Sequence, residues 1–425
     1  MKASFAKFHR AHVHAHGGSQ AATVVARRDA LKLGAAVTAA AVAATSLGSR
    51  PAAASTSDGH LGEYGPESGA FGDEMFDVEA VLDGAWDSGP YGAGDQRGSL
   101  NELTPARTAA ALALLDPTKP VNTYQLGEEM FNGFPAFPSD PPRLHDMFLY
   151  VLGYEAPEGF VDGGGIQSSI DPIGPNLVSA HEERFSENFT FQIATQIDGL
   201  NHIGVGEIFY NGFRGPDIAS PTGTTALGNE TMGPITARGV IYDVLGLKVE
   251  QGATDAFFEA PNGEPVLNDG YRITLDDLRG CLERQKVDEI RAGDVAIMRT
   301  GWTHLVRDDA ERYLTQEPGI YLEEGRYFAD KRVALVASDT WGLEVLNPDV
   351  TEGNAFPVHQ ELIVKNGIRI GESFVTDAAV ADKCYEGLFV ATPENVPGAT
   401  CGSMAPCFLS QSGPRTSNTG PSFTG

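Results

Sequence analysis

The chain has 425 residues and is strongly acidic, with 57 Asp and Glu against 30 Lys and Arg and a formal net charge of −27 at pH 7. So acidic a surface disfavours nucleic acid and anionic membranes as partners, and it suits a soluble, secreted protein. The length is sufficient for one large domain or two ordinary ones.

The first 54 residues have the pattern of an export signal. Arg27 and Arg28 form a twin arginine, an Ala-rich apolar run follows at 33–47, and residues 52–54 offer an A-x-A cleavage site. A membrane anchor is the alternative, but the run is too short and too weakly hydrophobic for a stable span. We therefore expect residues 1–54 to be removed and the protein to be exported through the twin-arginine pathway, to the periplasm or outside the cell.

The remaining chain divides by composition. Residues 55–88 are rich in Gly, Asp, Glu and Ser and predict an N-terminal arm, and residues 410–425 predict a disordered tail rich in Ser, Gly, Pro and Thr. Between them, in residues 89–409, helix and strand patterns alternate without a linker. This alternation predicts a single α/β domain.

Residues that typically begin or end a helix predict three helices, at 103–117, 274–287 and 357–367. Thr104 caps the first, Thr274 and Asp277 form a capping box for the second, and Gly367 closes the third. Aromatic, β-branched and apolar runs predict strands at 188–197, 233–247, 292–302, 332–342, 369–374 and 387–393.

The four cysteines match no zinc-ribbon spacing. Outside the cell, Cys401 and Cys407 could form a bridge that closes a short loop. Cys281 lies in a helical pattern and is expected to be a buried thiol.

Several common catalytic motifs are absent from the sequence. There is no G-x-S-x-G nucleophile elbow, no H-E-x-x-H, no P-loop and no dinucleotide-binding fingerprint. Serine hydrolases with that elbow, zincin proteases and nucleotide-binding enzymes are therefore not indicated.

The stretch "QIATQIDGLNH" (192–202) places Asp198 and His202 four residues apart, and His359 and Glu372 follow far downstream. Two carboxylates and an imidazole suit a divalent ion such as zinc or manganese, and a second imidazole could move protons. A histidine at a strand end is also often a hydrogen-bonded structural residue, so the residues alone leave both interpretations open.

The order of these motifs resembles the cyclase family of metal-dependent hydrolases, which includes bacterial kynurenine formamidase (arylformamidase) and isatin hydrolase. The resemblance covers roughly residues 90–408. It is carried by "GSLNELTP" (98–105), "TQIDGLNH" with "FYNG" (195–212), "GPITARGVIYDV" (233–244), "AGDVAIMRTGW" (292–302) and "FPVHQELIVKNGIRIGES" (356–373).

The family signature H-x-x-x-H-x-D-x-x-x-H places its first two histidines on Gln192 and Gln196, its aspartate on Asp198 and its last histidine on His202. The resemblance implies that His202 is the general acid/base. It further implies that the metal ligands are Asp198, His359 and Glu372.

The two glutamines depart from the signature. A neutral amide is a far poorer zinc ligand than an imidazole, so the first metal position of two-metal family members should be lost. We expect one zinc or manganese ion at most. Gln192 and Gln196 could be weak ligands, could contact the substrate, or could only satisfy strand-end backbone groups.

A few further side chains give weaker expectations. Trp302, Trp341, Phe209 and Tyr210 could line an aromatic pocket, although aromatic residues at strand ends more often belong to the core. Asp339 is expected to cap a turn, with the orientation of a ligand as the alternative. His145 and His181 are expected in loops at the surface, with a contact to the site as the alternative.

The resemblance implies a mixed, partly barrel-like sheet with flanking helices of the swivelling β/β/α type. It implies a secreted hydrolase of a small amide, cyclic amide or lactone that forms a homodimer or higher oligomer. Two alternatives remain: a metal-poor lyase or isomerase in which His202 and Glu372 move protons, and a binding protein without catalysis.

Overall fold

The computed structural model describes residues 65–411, which lie within one compact unit, Gly59–Gly425. The predicted leader (1–54), the first part of the predicted arm and all but two residues of the predicted tail (410–425) lie outside the described residues.

The described chain contains sixteen strands. They are β1 Asn122–Gln125, β2 Met147–Leu152, β3 Ile166–Gln167, β4 Ala180–Phe185, β5 Gln196–Asp198, β6 Ala219–Ser220, β7 Gly223–Thr224, β8 Ile235–Asp243, β9 Phe257–Glu259, β10 Pro265–Leu267, β11 Val295–Arg299, β12 Leu335–Ser338, β13 Arg369–Glu372, β14 Glu386–Ala391, β15 Cys401–Ser403 and β16 Cys407–Ser410.

Ten α-helices accompany these strands in the described residues. They are α1 Val78–Ala80, α2 Pro105–Leu112, α3 Gly215–Ile218, α4 Val244–Gln251, α5 Leu275–Gln285, α6 Ala310–Tyr313, α7 Leu322–Asp330, α8 Pro348–Thr351, α9 Pro357–His359 and α10 Asp377–Ala381. Turns of 3₁₀-helix occupy Gly98–Glu102, Tyr210–Gly212, Asn229–Thr231 and Trp302–Leu305, and π-helices occupy Val81–Ala85 and Gln360–Lys365.

Nine strands form the main sheet, in the order β1-β16-β14-β8-β11-β12-β13-β5-β15. The central strands β8, β11, β12 and β13 are parallel, and all the flanking pairs are antiparallel. The predicted α/β fold with a mixed, partly barrel-like sheet is therefore confirmed.

The central strands are buried along most of their length because both faces of the sheet are covered, and β11 and β12 are mainly apolar. All four residues of β12 are buried, as are eight of the nine residues of β8. Continuous apolar runs of this kind are typical of parallel strands packed between layers. They form the core of the domain and give its site a rigid support.

The three predicted helices are present, with one change of type. Thr104 accepts a hydrogen bond from the backbone N–H of Arg107, and Thr274 and Asp277 form the predicted capping box. The third prediction, 357–367, is a short α-helix that continues as the π-helix Gln360–Lys365 and ends before Gly367, which has a φ of 64°.

The predicted strand at 188–197 is wrong over most of its length, because pairing begins only at Gln196. Ala194 has a φ of 59°, which lies outside the extended region that a regular strand requires. The chain therefore bends through residues 191–195 and enters β5 for three residues only.

The bridge between Cys401 and Cys407, which the sequence left open, is not formed, and all four cysteines are free thiols. Although the two are close in the chain, Cys401 pairs with Asp198 on β5, whereas Cys407 pairs with Gln125 and Val390. The sheet thus takes β15 and β16 to different neighbours. Cys281 is fully buried, as predicted.

Between β1 and β5 the chain leaves the main sheet. This segment, residues 126–195, is called the excursion below, and it contains a three-stranded sheet in the order β3-β2-β4. Ten of the fifteen large hydrophobic side chains that are exposed in the described residues lie between positions 147 and 185.

Within residues 65–411, no helix has the length and apolar character needed to cross a membrane.

Candidate active site

The register of two neighbouring strands brings the predicted carboxylates together. Glu372 on β13 is paired directly with Gln196 on β5, and Asp198 lies two residues beyond Gln196. Because side chains two residues apart in a strand share a face, all three point to the same side of the sheet. Asp198 is fully buried and Glu372 is 7% exposed.

His359 reaches the same point from α9. Its Nε2 atom lies 3.7 Å from Oδ2 of Asp198 and 3.5 Å from Oε1 of Glu372. One ligand atom from each of the three residues lies within 4.8 Å of the others. The structure therefore brings together the three residues that the sequence predicts as metal ligands.

Glu344, which sequence reasoning missed, orients His359. Its Oε1 atom is 2.6 Å from Nδ1 of His359 and accepts a hydrogen bond from the backbone N–H of His359, and its Oε2 accepts one from Val358. This contact directs Nε2 towards the two carboxylates, as carboxylates behind metal-binding histidines commonly do. No local motif marks a partner fifteen residues upstream.

The three residues fit a divalent ion. Oδ2 of Asp198 is buried and has no hydrogen-bond partner within the described chain, which is costly for a carboxylate unless a cation is nearby. Burial, reinforced by Glu372, raises the pKa of Asp198 to about 6. One imidazole nitrogen and two carboxylates are a donor set that zinc and manganese accept.

The groups around His359 raise the pKa of its imidazole. Burial lowers its pKa, but the hydrogen bonds to Glu344 and Glu372 and the charge of Asp198 outweigh burial and raise the pKa to about 10. The surroundings thus strongly favour a positive charge at Nε2, which a proton or a metal ion can supply.

Gln192 and Gln196 form a chain of amide contacts along the carboxylates. Nε2 of Gln196 donates to Oε2 of Glu372 at 2.5 Å and to Oε1 of Gln192 at 2.8 Å. Nε2 of Gln192 in turn approaches Oδ1 of Asp198 at 3.4 Å. Neutral donors therefore contact both carboxylates on this side, where the family pattern has two histidines.

The same chain of contacts ends at His202. Nε2 of Gln192 lies 3.2 Å from Nδ1 of His202, and Nε2 of His202 lies 4.0 Å from Oδ2 of Asp198. Because Oε1 of Gln192 already accepts a hydrogen bond from Gln196, the NH₂ group of Gln192 faces the ring of His202. Nδ1 of His202 is then the acceptor, so the neutral imidazole carries its proton on Nε2. Burial is the main cause of the lowered pKa of His202.

A cleft opens above these groups, with about 450 Å³ of empty space that is partly continuous with solvent. Three aromatic rings form one wall: the centroid of Phe137 lies 5.3 Å from that of Trp341 and 6.1 Å from that of Phe356. Arg143 and His202 also line the cleft. A small molecule with a flat apolar part would fit this wall.

A second buried carboxylate stands behind the aromatic wall and was also missed. Oε2 of Glu317 accepts a hydrogen bond from the backbone N–H of Trp341 at 2.9 Å, and its Oε1 has no partner within the described residues. Burial raises the pKa of Glu317 well above its ordinary value. Glu317 therefore helps to hold Trp341 in place.

Of the four aromatic residues that the sequence offered for a pocket, one lines the cleft and three belong to the core. Trp341 lines the cleft, whereas Trp302 and Tyr210 are fully buried and Phe209 packs against the core. Sequence position alone does not separate these roles.

The remaining polar candidates lie outside the cleft. Asp339 accepts hydrogen bonds from the backbone of Thr300 and Gly301, so it caps a turn, as expected. The surface prediction for His145 is wrong: it is only 8% exposed, because the rings of Phe185 and Phe189 pack against it. His181 is exposed, as expected, but the loop prediction is wrong, because it lies on strand β4 and pairs with Val151 of β2.

A comparison with models of known protein families identifies the family of this chain. The Cyclase family model matches residues 123–345, more than half of the chain. The chain belongs to the Cyclase family. The matched range contains Asp198 and His202, while His359 and Glu372 follow it in the chain.

One solved structure shares the fold, and a second is a weaker match. A crystal structure described as that of a novel cyclase is 28% identical, covers 79% of this chain and 99% of its own, and has a TM-score of 0.59. Isatin hydrolase A from Ralstonia solanacearum is 17% identical, with 73% and 99% coverage and a TM-score of 0.47. A comparison with curated protein sequences gives no match.

Proposed function

We propose that this protein is a metal-dependent hydrolase that cleaves a C–N or C–O bond of a small amide, cyclic amide or lactone. The observation that carries the proposal is the convergence of Asp198, His359 and Glu372 around a buried carboxylate oxygen that has no hydrogen-bond partner in the described residues. Membership of the Cyclase family supports it.

Asp198, His359 and Glu372 would hold one zinc or manganese ion. When bound, a divalent ion supplies a Lewis acid for the scissile carbonyl and lowers the pKa of water. The contacts of Gln196 with Glu372 and of Gln192 with Asp198 support a single ion, because amide N–H groups lie against the carboxylates on the side where a second ion would need ligands.

His202 is the group that we propose to move the proton. Its lowered pKa keeps the imidazole neutral near pH 7, so that it can accept a proton from water. The ring then returns this proton to the leaving atom, which completes the cycle.

The first test is the metal content of the purified protein by elemental analysis, after dialysis against a mild chelator. We expect about one equivalent of zinc or manganese in the wild type and none in Glu372→Gln, which also loses at least about a thousandfold in hydrolysis. Glu317→Gln is the matched control, because Glu317 is a buried carboxyl that contacts the cleft wall rather than the three ligands. A folded protein without metal would overturn the mechanism.

The second test separates His202 from the ligands. His202→Ala should abolish turnover of a panel of aryl amides and lactones and should retain its metal. Loss of metal in that variant would make His202 a ligand instead.

We also propose export and self-association. The twin arginine at 27–28 and the apolar run after it support export, which N-terminal sequencing of protein from the producing cells would test. The exposed apolar side chains of the excursion support a homodimer or higher oligomer, since patches of this kind commonly mark interaction surfaces.

A further inference from the structure

One cation in the cleft has no carboxylate partner. Arg143 lines both the main cleft and the smaller cavity beside it, and no other Lys or Arg lines either. Within residues 65–411 it forms no salt bridge, and its one hydrogen bond runs from Nη1 to the backbone oxygen of Gln192 at 3.3 Å. Because a guanidinium has five N–H donors, most of its capacity is unused.

The segment that carries Arg143 is anchored on both sides. The backbone N–H of Leu144 donates to the oxygen of Asn188 at 3.1 Å, and the buried His145 follows. On the other side, the guanidinium lies over the ring of Phe137, 5.4 Å from its centroid. The donors are therefore held at the cleft before any ligand arrives, which lowers the entropy that binding must overcome.

The charges of the cleft leave room for one anion. Asp198 and Glu372 would balance a divalent ion, and no carboxylate of the described residues contacts Arg143, so its charge can face a ligand beside the aromatic wall. The chain as a whole carries a net charge of −27 and repels anions, so an anionic ligand would need a local cation of this kind. A planar guanidinium matches a carboxylate with two parallel hydrogen bonds.

We propose that Arg143 binds a carboxylate on the substrate, so that the substrate class is a small, flat amide or lactone that carries an acidic group. The flat part lies against Phe137, Trp341 and Phe356, and the acidic group points away from the metal ligands towards Arg143. This inference deepens the proposed function and rests on it for the reaction, but the binding itself does not require turnover.

The test compares benzoate with benzamide, which have the same shape and differ in charge. Binding of each is measured by calorimetry to the wild type, to Arg143→Gln and to Arg143→Lys. Arg307→Gln is the matched control, because Arg307 also lies over a phenylalanine ring, that of Phe131, but is outside the cleft and pairs with Glu129.

We expect the wild type and Arg307→Gln to bind benzoate at least about tenfold more tightly than benzamide, since charge-assisted hydrogen bonds are the strong ones. Arg143→Gln should lose this preference and keep its affinity for benzamide, and Arg143→Lys should keep part of it. A preference that persists in Arg143→Gln would place the carboxylate on a metal ion and overturn the proposal. Equal or absent binding of both compounds by the wild type would also overturn it.

Metal content measured on the same samples distinguishes the two proposals. A protein without metal that still shows the Arg143-dependent preference would refute the hydrolase mechanism and leave the anion site standing. A protein that binds one ion but shows no such preference would refute the anion site and leave the hydrolase mechanism standing.

Discussion

The main sheet and the excursion contribute to the same cleft in different ways. The main sheet supplies Asp198 and Glu372, both buried, from paired strands. The excursion supplies Phe137 and Arg143 from residues outside any strand, and its small sheet and connecting loops leave many apolar side chains exposed. The main sheet therefore positions the two carboxylates, and the excursion supplies side chains that line the cleft where a substrate would bind.

The difference lies in what holds each side chain. A carboxylate in a buried strand is positioned by the hydrogen-bond ladder and by packing on both faces, so a small shift would disturb many contacts. A side chain in a loop depends on a few local hydrogen bonds, and such segments tolerate changes in sequence more readily. We expect changes in the core to affect metal binding and reaction, and changes in the excursion to affect selectivity and association.

The largest effect is expected for Glu344→Gln in the core. Loss of the carboxylate behind Nδ1 of His359 removes the group that orients the ring, and metal affinity should fall by about 10–100-fold. Competition with a fluorescent zinc chelator measures this. Glu361→Gln is the control, because Glu361 is also buried but contacts Lys365 and Asn366. An unchanged affinity in Glu344→Gln would show that packing alone orients His359.

An intermediate effect is expected at the start of the excursion. Burial raises the pKa of Glu128 from its ordinary value of 4.5 to about 7, with a further contribution from Asp377. A carboxyl whose pKa is raised by folding stabilises the protein below its unfolded pKa and loses that stabilisation as the pH rises through its folded pKa. Relative to Glu128→Gln, the wild type should therefore lose about 1–3 kcal/mol of unfolding free energy between pH 4.5 and pH 8.

Urea unfolding at several pH values measures the difference between wild type and variant. The neighbouring Glu129→Gln serves as the control, because Glu129 is half exposed and pairs with Arg307 at the surface. A flat profile for Glu128→Gln would mean that water reaches this carboxyl, and the boundary between the core and the excursion would then be less well packed than the structure indicates.

The smallest effect on folding is expected on the exposed face of the excursion. Ile173 is 59% exposed, and Ile173→Lys should change the unfolding free energy by no more than about 0.5 kcal/mol. If this face joins two copies, the variant should elute as a monomer from a sizing column where the wild type elutes as an oligomer. Val249→Lys, on α4 outside the excursion, is the control and should leave the elution unchanged. A wild-type monomer would contradict the proposed self-association.

Local patterns predicted the parts of the fold that depend on neighbours in the chain. The caps at Thr104 and Thr274 and the buried central strands follow from residue types within a few positions. The strand expected at 188–197 failed because Ala194 adopts a left-handed conformation, which its sequence neighbours do not indicate. The sequence left open whether Cys401 and Cys407 form a bridge, and the structure decides against it, because the two residues pair with different strands.

For the site, the sequence by itself determined which side chains are available: the Asp198 and His202 pair, His359, Glu372 and the two glutamines. Only the tertiary structure decided that Glu372 lies opposite Gln196, that Glu344 stands behind His359 and that Arg143 lines the cleft without a carboxylate partner among the described residues. These contacts join residues from 15 to 176 positions apart or depend on the path of a loop. They arise from strand register and close packing, to which the whole domain contributes and which no local pattern specifies.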